Sequence, residues 1–283
     1  MPWRTTQNVY KIFVSEIMLQ QTQVARVKEK FPLFIRTYPT VRSLANASKA
    51  EVIKSWQGMG YNNRVLRLKE SAQIITEKYK GKFPATVEEL LDLPGVGKYT
   101  AHAFLCFALK QNVAVVDVNV VRVFSRFFFP MNNAAEMKSE KEIWQFAEAI
   151  LPKKRAYEWN QALMDFGATV CTARQPQCSI CALRNECRSR DLFSRKEVQI
   201  EKATTREKKY YGFPARYYRG KIIEMFCKRD EYISIEQMTA QVFSKSSSQK
   251  IRFVHILADA LKKDGLLATK KFRNIICYRL AVH

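Results

Sequence analysis

Four cysteines lie close together in the second half of the chain, at the spacing C-x6-C-x2-C-x5-C. They are Cys171, Cys178, Cys181 and Cys187. Four thiolates in one short segment can close around a single metal centre, and the chain must then fold as a loop around that centre. Zinc is the competing occupant, but structural zinc usually takes two separated C-x2-C pairs, and only Cys178 and Cys181 form one here. The spacing therefore predicts a metal-binding loop and fits the usual zinc pattern poorly.

The charge balance indicates a nucleic-acid partner. The chain carries 48 Lys and Arg against 26 Asp and Glu, a formal net charge of +22. This excess matches the electrostatic footprint of a protein that follows a phosphate backbone, and acidic small molecules would not require it. No apolar stretch approaches the roughly 20 residues that span a bilayer, and the first residues lack the apolar core of a signal peptide. We therefore expect a soluble, intracellular protein without a membrane partner.

The first two thirds of the chain have the pattern of an all-α body. Between residues 9 and 168, apolar residues recur at helical intervals, and turn residues separate the runs. Residues 113–116 could form a short buried strand, but the neighbouring helical patterns leave little room for a sheet. The chain has 283 residues, and domains usually contain roughly 100–200. We predict a helical domain over 1–192, a basic linker over 193–212 and a second domain over 213–283.

The second domain has a different pattern, with three amphipathic helices followed by two strand-like runs that Arg273 and Asn274 separate. The predicted elements are helices at 217–228, 236–243 and 249–263, and strands at 266–272 and 275–282. Three helices with a terminal hairpin are typical of a winged-helix module, whose third helix commonly enters the major groove of DNA. A packing lid or a protein-docking domain is the alternative, and the basic charge of the chain favours DNA contact.

The segment Leu93-Pro94-Gly95-Val96-Gly97-Lys98 indicates a turn between two helices. We expect one helix to end at Leu93 and the next to begin near Lys98, with both glycines allowing positive φ and a close approach of the backbone. The unpaired N–H groups at the start of the second helix would then point outward and suit a phosphate. Taken alone, such a turn is equally typical of an ordinary loop. Gly95, Gly97 and Lys98 are the candidates for phosphate binding.

Together, these motifs resemble the helix-hairpin-helix DNA glycosylases of the endonuclease III superfamily, and within it the MutY adenine glycosylases. The similarity runs from Pro2 to about Cys187. Besides the glycine turn and the four cysteines, the motifs that carry it are Pro2-Trp3-Arg4, Ser15-Glu16-Ile17-Met18-Leu19-Gln20-Gln21-Thr22-Gln23-Val24, Gly58-Met59-Gly60-Tyr61, Val116-Asp117-Val118-Asn119-Val120-Val121-Arg122-Val123 and Asn160-Gln161-Ala162-Leu163-Met164-Asp165. The resemblance implies an all-α, two-lobed fold with an iron–sulfur loop, to which the C-terminal pattern adds a small winged-helix-like α+β domain.

The resemblance implies a hydrolysis that uses two carboxyl groups. Glu16 matches the general acid that protonates the base as it leaves, a role that requires a pKa raised by burial. Asp117 matches the carboxylate that stabilises the oxocarbenium ion or forms a transient covalent link, and Asn119 belongs to the same catalytic motif. Without the resemblance, Glu16 would pass for a surface helix residue and Asp117 for a helix N-cap.

Residue 99 distinguishes the subclasses of the family. Members with lyase activity place a nucleophilic lysine there, whereas this chain has Tyr99 and, one residue earlier, Lys98. Successive helical residues are about 100° apart, so we expect Lys98 to face away from the pocket. The resemblance thus implies a monofunctional N-glycosylase with little or no lyase activity. Tyr99 is a catalytic candidate as a hydrogen-bond donor near Asp117, with simple packing as the alternative.

The resemblance also implies which base is removed. Gln161 matches the residue that reads the adenine edge, and a glutamine amide suits bidentate recognition of adenine. A thymine or uracil mismatch glycosylase is the alternative, because such enzymes can also carry tyrosine at position 99. Arg4 matches a residue that lines the base pocket. The positions that match the wedge, which fills the gap left by an extruded nucleotide, are Leu19, Gln20, Gln21 and Tyr61.

The remaining implications concern cofactor, partner and location. The resemblance implies a [4Fe–4S] cluster on the four cysteines, and as partner double-stranded DNA with a mismatched or oxidised base. The expected substrate is adenine opposite 8-oxoguanine or guanine. We expect a monomer, located in the cytoplasm and associated with the nucleoid through DNA. A non-catalytic DNA-damage binding protein is the alternative from another class, and the presence of both carboxyl groups argues against it.

Two features depart from the family pattern. MutY proteins usually have a helix before the segment that matches Pro2-Trp3-Arg4, which leaves open whether an N-terminal helix is missing. Their C-terminal domain is also larger and sheet-rich, and its Phe-Ser-His loop, which reads 8-oxoguanine, has no match in this chain. We therefore expect discrimination of 8-oxoguanine from guanine to be weak or to be achieved by other residues.

Overall fold

The computed structural model describes residues 1–129, 137–194 and 207–282. Within these ranges the helices are α1 (Val9–Leu19), α2 (Val24–Thr37), α3 (Val41–Asn46), α4 (Lys49–Ser55), α5 (Asn63–Glu77), α6 (Val87–Leu91), α7 (Lys98–Phe107), α8 (Val118–Phe128), α9 (Glu140–Ala149), α10 (Ala156–Thr169), α11 (Arg190–Ser194), α12 (Ala215–Cys227), α13 (Ile235–Val242) and α14 (Ser248–Lys263). The strands are β1 (Lys209–Tyr210), β2 (Phe213–Pro214), β3 (Ile233–Ser234), β4 (Leu267–Phe272) and β5 (Ile275–Leu280). In these described parts of the chain, no helix has the length and apolar character of a bilayer span.

The chain divides into two compact units. Unit 1 contains Met1–Pro84, Asp92–Gly95 and Thr205–His283, and unit 2 contains Ala85–Leu91 and Val96–Thr204. The predicted linker 193–212 lies partly outside the described residues, and its last part contains β1, which pairs with β2. The predicted domain boundaries stay a prediction.

The N-terminal part of unit 1 is a bundle of capped helices around large aromatic side chains. Ser48 and Glu51 form a capping box at the start of α4, which satisfies N–H groups that the first turn leaves unpaired. Trp56, Phe13 and Phe34 are among the largest fully buried side chains of the chain. Burial of such rings supplies much of the apolar area that drives folding.

The C-terminal part of unit 1 has the winged-helix pattern that the sequence predicts. Helices α12, α13 and α14 lie within two residues of the predicted bounds, and β4 pairs with β5 in an antiparallel hairpin. Arg273 and Asn274 form its two-residue turn with φ of 43° and 68°, as a type I′ turn requires. The short strand β3 adds to β5, so the sheet order is β3–β5–β4.

Unit 2 is helical around one apolar cluster. Val120, Phe124, Ile143 and Trp144 belong to this core, which joins α8 and α9. Residues 113–116 lead into α8 and form no strand, in agreement with the prediction of a helical body. Asn160 holds this segment, because its Oδ1 accepts from the Val115 N–H at 3.0 Å.

Candidate active site and cysteine loop

Glu16, the predicted general acid, lies on α1 of unit 1. The residue is only 5% exposed, so its interpretation as a surface helix residue is wrong. The helix starts at Asn8, whose side-chain oxygen accepts from the Lys11 N–H at 3.0 Å. Arg4, the predicted pocket residue, is half-buried in a turn at the start of the chain. The structure thus meets the burial requirement of the acid. The assignments of Glu16 as general acid and of Arg4 as a pocket residue stay predictions.

Arg64 of α5 clamps the two wedge segments, residues 19–21 and 59–61. Its acceptors are the carbonyl oxygens of Ile17, Met18, Gln20, Met59 and Gly60 and the hydroxyl of Thr22. Burial lowers the pKa of Arg64 to about 10, so the guanidinium stays charged at neutral pH. A single buried arginine therefore fixes the path of both segments.

Two wedge residues have a left-handed backbone. Gln21 has φ of 51° and Tyr61 has φ of 46°, a conformation that costs a non-glycine residue on the order of 1–3 kcal/mol. Tyr61 is 54% exposed, and Leu19 is half-buried. Gln20 donates from Nε2 to the Gly95 carbonyl oxygen at 3.0 Å. The backbone of Gln21 and Tyr61 is therefore strained, and the Tyr61 side chain is exposed to solvent.

The turn after α6 carries the phosphate candidates. The helix ends at Leu91, two residues before the predicted end at Leu93, and α7 begins at Lys98 as predicted. Gly95 has φ of 81°, and a Cβ there would lie 3.2 Å from the Arg67 Cβ, so this position needs glycine. Gly97 does not use the positive φ that glycine permits, since its φ is −101°. It is the N-cap of α7 and has no side chain with which to cap the first N–H groups.

Asp117, the predicted stabilising carboxylate, is half-buried at the start of α8 in unit 2. It is the N-cap of this helix: its Oδ1 accepts from the Val120 N–H at 2.8 Å. The local interpretation as an N-cap is therefore correct, and it is compatible with a further role. The other oxygen, Oδ2, accepts from Nδ2 of Asn119 at 2.6 Å. Two donors thus fix the orientation of the carboxylate.

A buried arginine connects this carboxylate with the cysteine loop. Arg122 donates from Nη2 to Oδ1 of Asn119 at 2.8 Å and to the Gly167 carbonyl oxygen at 2.6 Å. Its Nε donates to the carbonyl oxygen of Cys171 at 2.8 Å. A Cβ at Gly167 would approach the Asn119 Cβ to 2.7 Å. Glycine at this position therefore permits the close contact between α8 and α10 that the hydrogen bonds require.

The other candidates of unit 2 lie on α7 and α10. Oε1 of Gln161 is buried and has no hydrogen-bond partner among the described residues, which is unusual for a buried acceptor. The Tyr99 hydroxyl lies 3.8 Å from Sδ of Met164. The Lys98 ammonium lies 4.1 Å from the centroid of the Trp144 ring, a cation–π distance.

The four cysteines of the loop line one largely apolar cavity in unit 2. Burial raises the pKa of Cys178, and the neighbouring thiols of Cys171 and Cys181 raise it further. Arg126 of α8 secures the loop by donating to the carbonyl oxygens of Thr172 and Ala173, at 2.7 and 2.9 Å. Within the described ranges, no three metal-binding side chains are close enough to hold a single ion. The [4Fe–4S] cluster on these four cysteines stays a prediction.

The sequence motifs contain Arg122 and Asn160 but predict no role for them, and Arg64 and Arg126 lie outside every motif. A signal was present for the pair on α8, because two arginines at i and i+4 interrupt an otherwise apolar helix. A charged side chain on a buried face needs partners. The sequence does not reveal which partners, since these arginines bond main-chain carbonyls far away in the chain.

The solved structures most relevant to this fold are DNA glycosylases. A thermostable thymine-DNA glycosylase superposes with a TM-score of 0.63 and is 34% identical, covering 68% of this chain and 88% of that chain. A non-covalent endonuclease III–DNA complex superposes with a TM-score of 0.62 at 25% identity, covering 69% and 89%. The predicted fold class, a helix-hairpin-helix glycosylase fold with a small C-terminal sheet domain, is confirmed.

The sequence comparisons narrow this class. Residues 14–149 match the family described as HhH-GPD superfamily base excision DNA repair protein. An adenine DNA glycosylase of Mycolicibacterium smegmatis is 37% identical over 94% of this chain and 87% of its own length. That of Buchnera aphidicola is 38% identical over 66% of this chain, and the human one is 38% identical over 70%. The chain belongs to the HhH-GPD superfamily of base excision DNA repair proteins, and the predicted resemblance to adenine glycosylases is confirmed.

The extent of these matches differs. The alignment covers about half of the Buchnera protein, 53%, and 38% of the human protein. Only the mycobacterial match among these three extends through the C-terminal domain, since it covers 269 residues.

Proposed function

We propose that the protein is a monofunctional DNA N-glycosylase that removes adenine opposite 8-oxoguanine or guanine in base excision repair. The relatives named adenine DNA glycosylase carry this proposal. The buried, unpartnered Oε1 of Gln161 supports the choice of base, because it would accept a hydrogen bond from the adenine N6 amino group. The similarity to a thymine-DNA glycosylase favours thymine removal as the second candidate.

In the proposed mechanism, Glu16 protonates the departing adenine while the bond between the base nitrogen and C1′ breaks. The electron pair of that bond leaves with the base. The Asp117 carboxylate stabilises the positive charge on the sugar, and water then adds to C1′ and releases a proton. The burial of Glu16 and the two donors on the Asp117 carboxylate support this division of roles.

The absence of lyase chemistry belongs to the same proposal. The chain has tyrosine at position 99, where a lyase would need an amine nucleophile. The contact of Lys98 with the Trp144 ring supports the expectation that this amine does not replace it. Schiff-base formation at neutral pH would require a lysine amine that is desolvated and not engaged in another contact.

We further infer that Cys171, Cys178, Cys181 and Cys187 hold a [4Fe–4S] cluster. The four thiols line one cavity, and Arg126 secures the loop from α8. When bound, the cluster supplies a structural centre around which the loop folds. A purified Cys178→Ser protein should lose iron, sulfide and visible absorption, whereas Cys227→Ser, outside the loop, should keep them. Iron content unchanged by Cys178→Ser would contradict the assignment.

We propose double-stranded DNA with a mismatched base as the partner, bound by a monomer in the cytoplasm at the nucleoid. The net charge of +22 supports binding to phosphates. The uncapped first turn of α7 supports phosphate contact at Gly95, Gly97 and Lys98. We expect the affinity for DNA to fall steeply as the salt concentration rises, as it does when a protein contacts several phosphates.

Base release from four duplexes tests the function. The target pairs are adenine opposite 8-oxoguanine, adenine opposite guanine, thymine opposite guanine and uracil opposite guanine, with alkali added to reveal abasic sites. Adenine release is expected, and cleavage without alkali should be weak or absent. Release of thymine or uracil alone would establish the second candidate, and binding without release would indicate a damage-binding protein.

Two conservative variants test the mechanism. Glu16→Gln and Asp117→Asn should each lower the single-turnover rate of adenine release by at least about 100-fold, as removal of a general acid does. The matched control is Glu29→Gln, an exposed carboxylate on α2, which should release adenine at the wild-type rate. Unchanged rates in the first two variants would refute the mechanism.

A further inference from the structure

Two adjoining cavities in unit 1 have lysine-rich walls and no assigned role. One, of about 470 Å³, lies along α5 and the end of α14. The other, of about 600 Å³, lies between the end of α3, the start of α4 and α5. Lys49, Lys69 and Gln73 line both cavities, so the two spaces meet at these three side chains.

Lys69 of α5 is a buried lysine whose ammonium is only partly hydrogen-bonded. The residue is 8% exposed, and its Nζ donates to the carbonyl oxygen of Ala45 at 3.1 Å. An ammonium group has three donors, and within the described parts of the chain this carbonyl is the one acceptor that Nζ reaches. A buried charge needs partners. Two donors of Lys69 are therefore left for a ligand in the cavities.

The surroundings of this ammonium are electropositive. Burial lowers the pKa of Lys69, and the charge of Lys49 lowers it further, because two ammonium groups that repel each other are harder to keep protonated. The first cavity also has two exposed cations in its wall, Arg67 and Lys263. An anion between these groups would relieve the repulsion and stabilise the charged form of Lys69.

The acidic residues of the walls do not supply this anion. Among the described residues that line the two cavities, four are basic and three are acidic. Glu51 accepts from N and Oγ of Ser48 at 2.7 and 2.8 Å, and Asp264 pairs with Arg219. The third, Glu70, is exposed on α5. Two of the three carboxylates are thus engaged in other contacts, and the cavities keep an excess of positive charge.

We propose that the two cavities bind a ligand with two linked phosphoryl groups, one in each cavity, with Lys49 and Lys69 between them. Lysine binds phosphate as a point charge, and the Gln73 amide has two further donors. Two sources offer this chemistry: a free diphosphate, and two successive phosphates of a DNA strand. The site uses none of the residues assigned to catalysis, to the wedge or to the glycine turn, so it adds to the proposed function.

Calorimetric titration of the protein with pyrophosphate, at constant ionic strength, tests the site. Lys49→Gln should bind pyrophosphate about tenfold more weakly than the wild type does, since it loses one charge-assisted contact. Lys263→Gln should bind it about threefold more weakly, because an exposed charge is screened by solvent. Variants that bind pyrophosphate as tightly as the wild type would overturn the proposal.

Two neighbouring lysines are matched controls. Lys54 is also half-buried on α4, and Lys262 is also exposed at the end of α14. Neither belongs to the described residues that line the two cavities. Lys54→Gln and Lys262→Gln should therefore bind pyrophosphate as the wild type does, and losses equal to those of Lys49→Gln and Lys263→Gln would show a general effect of charge and overturn the site.

The buried lysine gives the largest expected effect. Lys69→Met keeps apolar volume, removes the charge and should weaken pyrophosphate binding more than tenfold. The Ala45 carbonyl then loses its donor, so Tm is measured as well. If Lys69→Met does not fold, Lys49→Gln decides, because the printed role of Lys49 in the fold is a bond from its main-chain N–H to the Val282 carbonyl.

A duplex without a mismatch distinguishes the two sources of phosphate. Its affinity is measured by fluorescence anisotropy over a range of salt concentrations. If a DNA strand occupies the site, Lys49→Gln should weaken binding and reduce the salt dependence by about one phosphate contact. If a free diphosphate occupies it, Lys49→Gln should bind DNA as the wild type does and still bind pyrophosphate more weakly. The duplex has no target base, so both results are independent of base release.

Discussion

Replacing Arg64 with methionine should destabilise the protein strongly, because one guanidinium satisfies acceptors that have few other partners. The carbonyl oxygens of Ile17, Met18 and Met59 accept from it at 3.1, 2.9 and 3.1 Å. The Gly60 carbonyl would keep a second donor, Nε1 of Trp56 at 3.2 Å. Methionine fills much of the same volume but donates nothing. Three buried carbonyls therefore lose their donor.

The expected magnitude follows from these three carbonyls. A buried acceptor left unsatisfied costs about 1–3 kcal/mol, and water entering the vacated space offsets part of that. We therefore expect a loss of about 3 kcal/mol, at the low end of the sum. For a protein of this size, 1 kcal/mol corresponds to roughly 2–4 °C in Tm, so Tm should fall by roughly 6–12 °C.

Thermal unfolding followed by circular dichroism measures this effect, and single-turnover base release measures its consequence for the wedge. Arg64→Lys should be intermediate, since an ammonium keeps the charge but has three donors in place of five. Arg67→Met, an exposed arginine on the same helix, is the matched control and should keep the wild-type Tm. A Tm for Arg64→Met within 2 °C of the wild type, with unchanged base release, would show that the guanidinium does not hold the two segments.

Three other substitutions give separate tests. Gly167→Ala places a Cβ 2.7 Å from the Asn119 Cβ. This variant should release the base at least tenfold more slowly while its iron content stays at the wild-type level. An unchanged rate would contradict the contribution of Asn119 to orienting Asp117. Gln161→Leu removes an unpartnered buried oxygen, so it should leave Tm equal or higher while adenine release falls, and a fall of both would contradict this account. Burial holds the pKa of His102 in the folded protein below its usual value. Below about pH 6.5 the unfolded chain therefore binds more protons than the folded protein does. The free energy of unfolding consequently falls as the pH drops through that range. His102→Asn should flatten this fall, as measured by urea unfolding at pH 7.5 and pH 5.5, and an equally steep fall would exclude His102 as its source.

The sequence predicted those features that depend on residues close together in the chain. The hairpin turn at Arg273 and Asn274 and the start of α7 at Lys98 follow from local turn and capping chemistry. Asp117 was likewise recognisable as an N-cap because its acceptor role involves the N–H three residues later. Such interactions leave a pattern at fixed spacing.

The features that the sequence did not predict depend on contacts between distant segments. Arg64 donates to carbonyls more than 40 positions earlier in the chain, and every residue type offers the same carbonyl. The glycine turn suggested that Gly97 could adopt positive φ, but as the N-cap of α7 this residue has extended backbone. The sequence also did not predict the exposed stacking of Phe213 on Tyr217, because an aromatic pair four positions apart usually indicates core packing.

The composition of unit 1 has a consequence for the order of events during synthesis. This unit combines the first 84 residues with the segment from Thr205 onward, and the N–H of Lys49 donates to the carbonyl oxygen of Val282 at 3.3 Å. Unit 2 uses residues 85–91 and 96–204, so all of it has left the ribosome while the second half of unit 1 is still being translated. Helices α1 to α5 are therefore synthesised before the C-terminal helices and hairpin that complete their packing, and part of their final contact surface is absent until those elements emerge. A chain truncated after residue 204 and released from the ribosome should accordingly protect unit 2 from proteolysis better than α1 to α5.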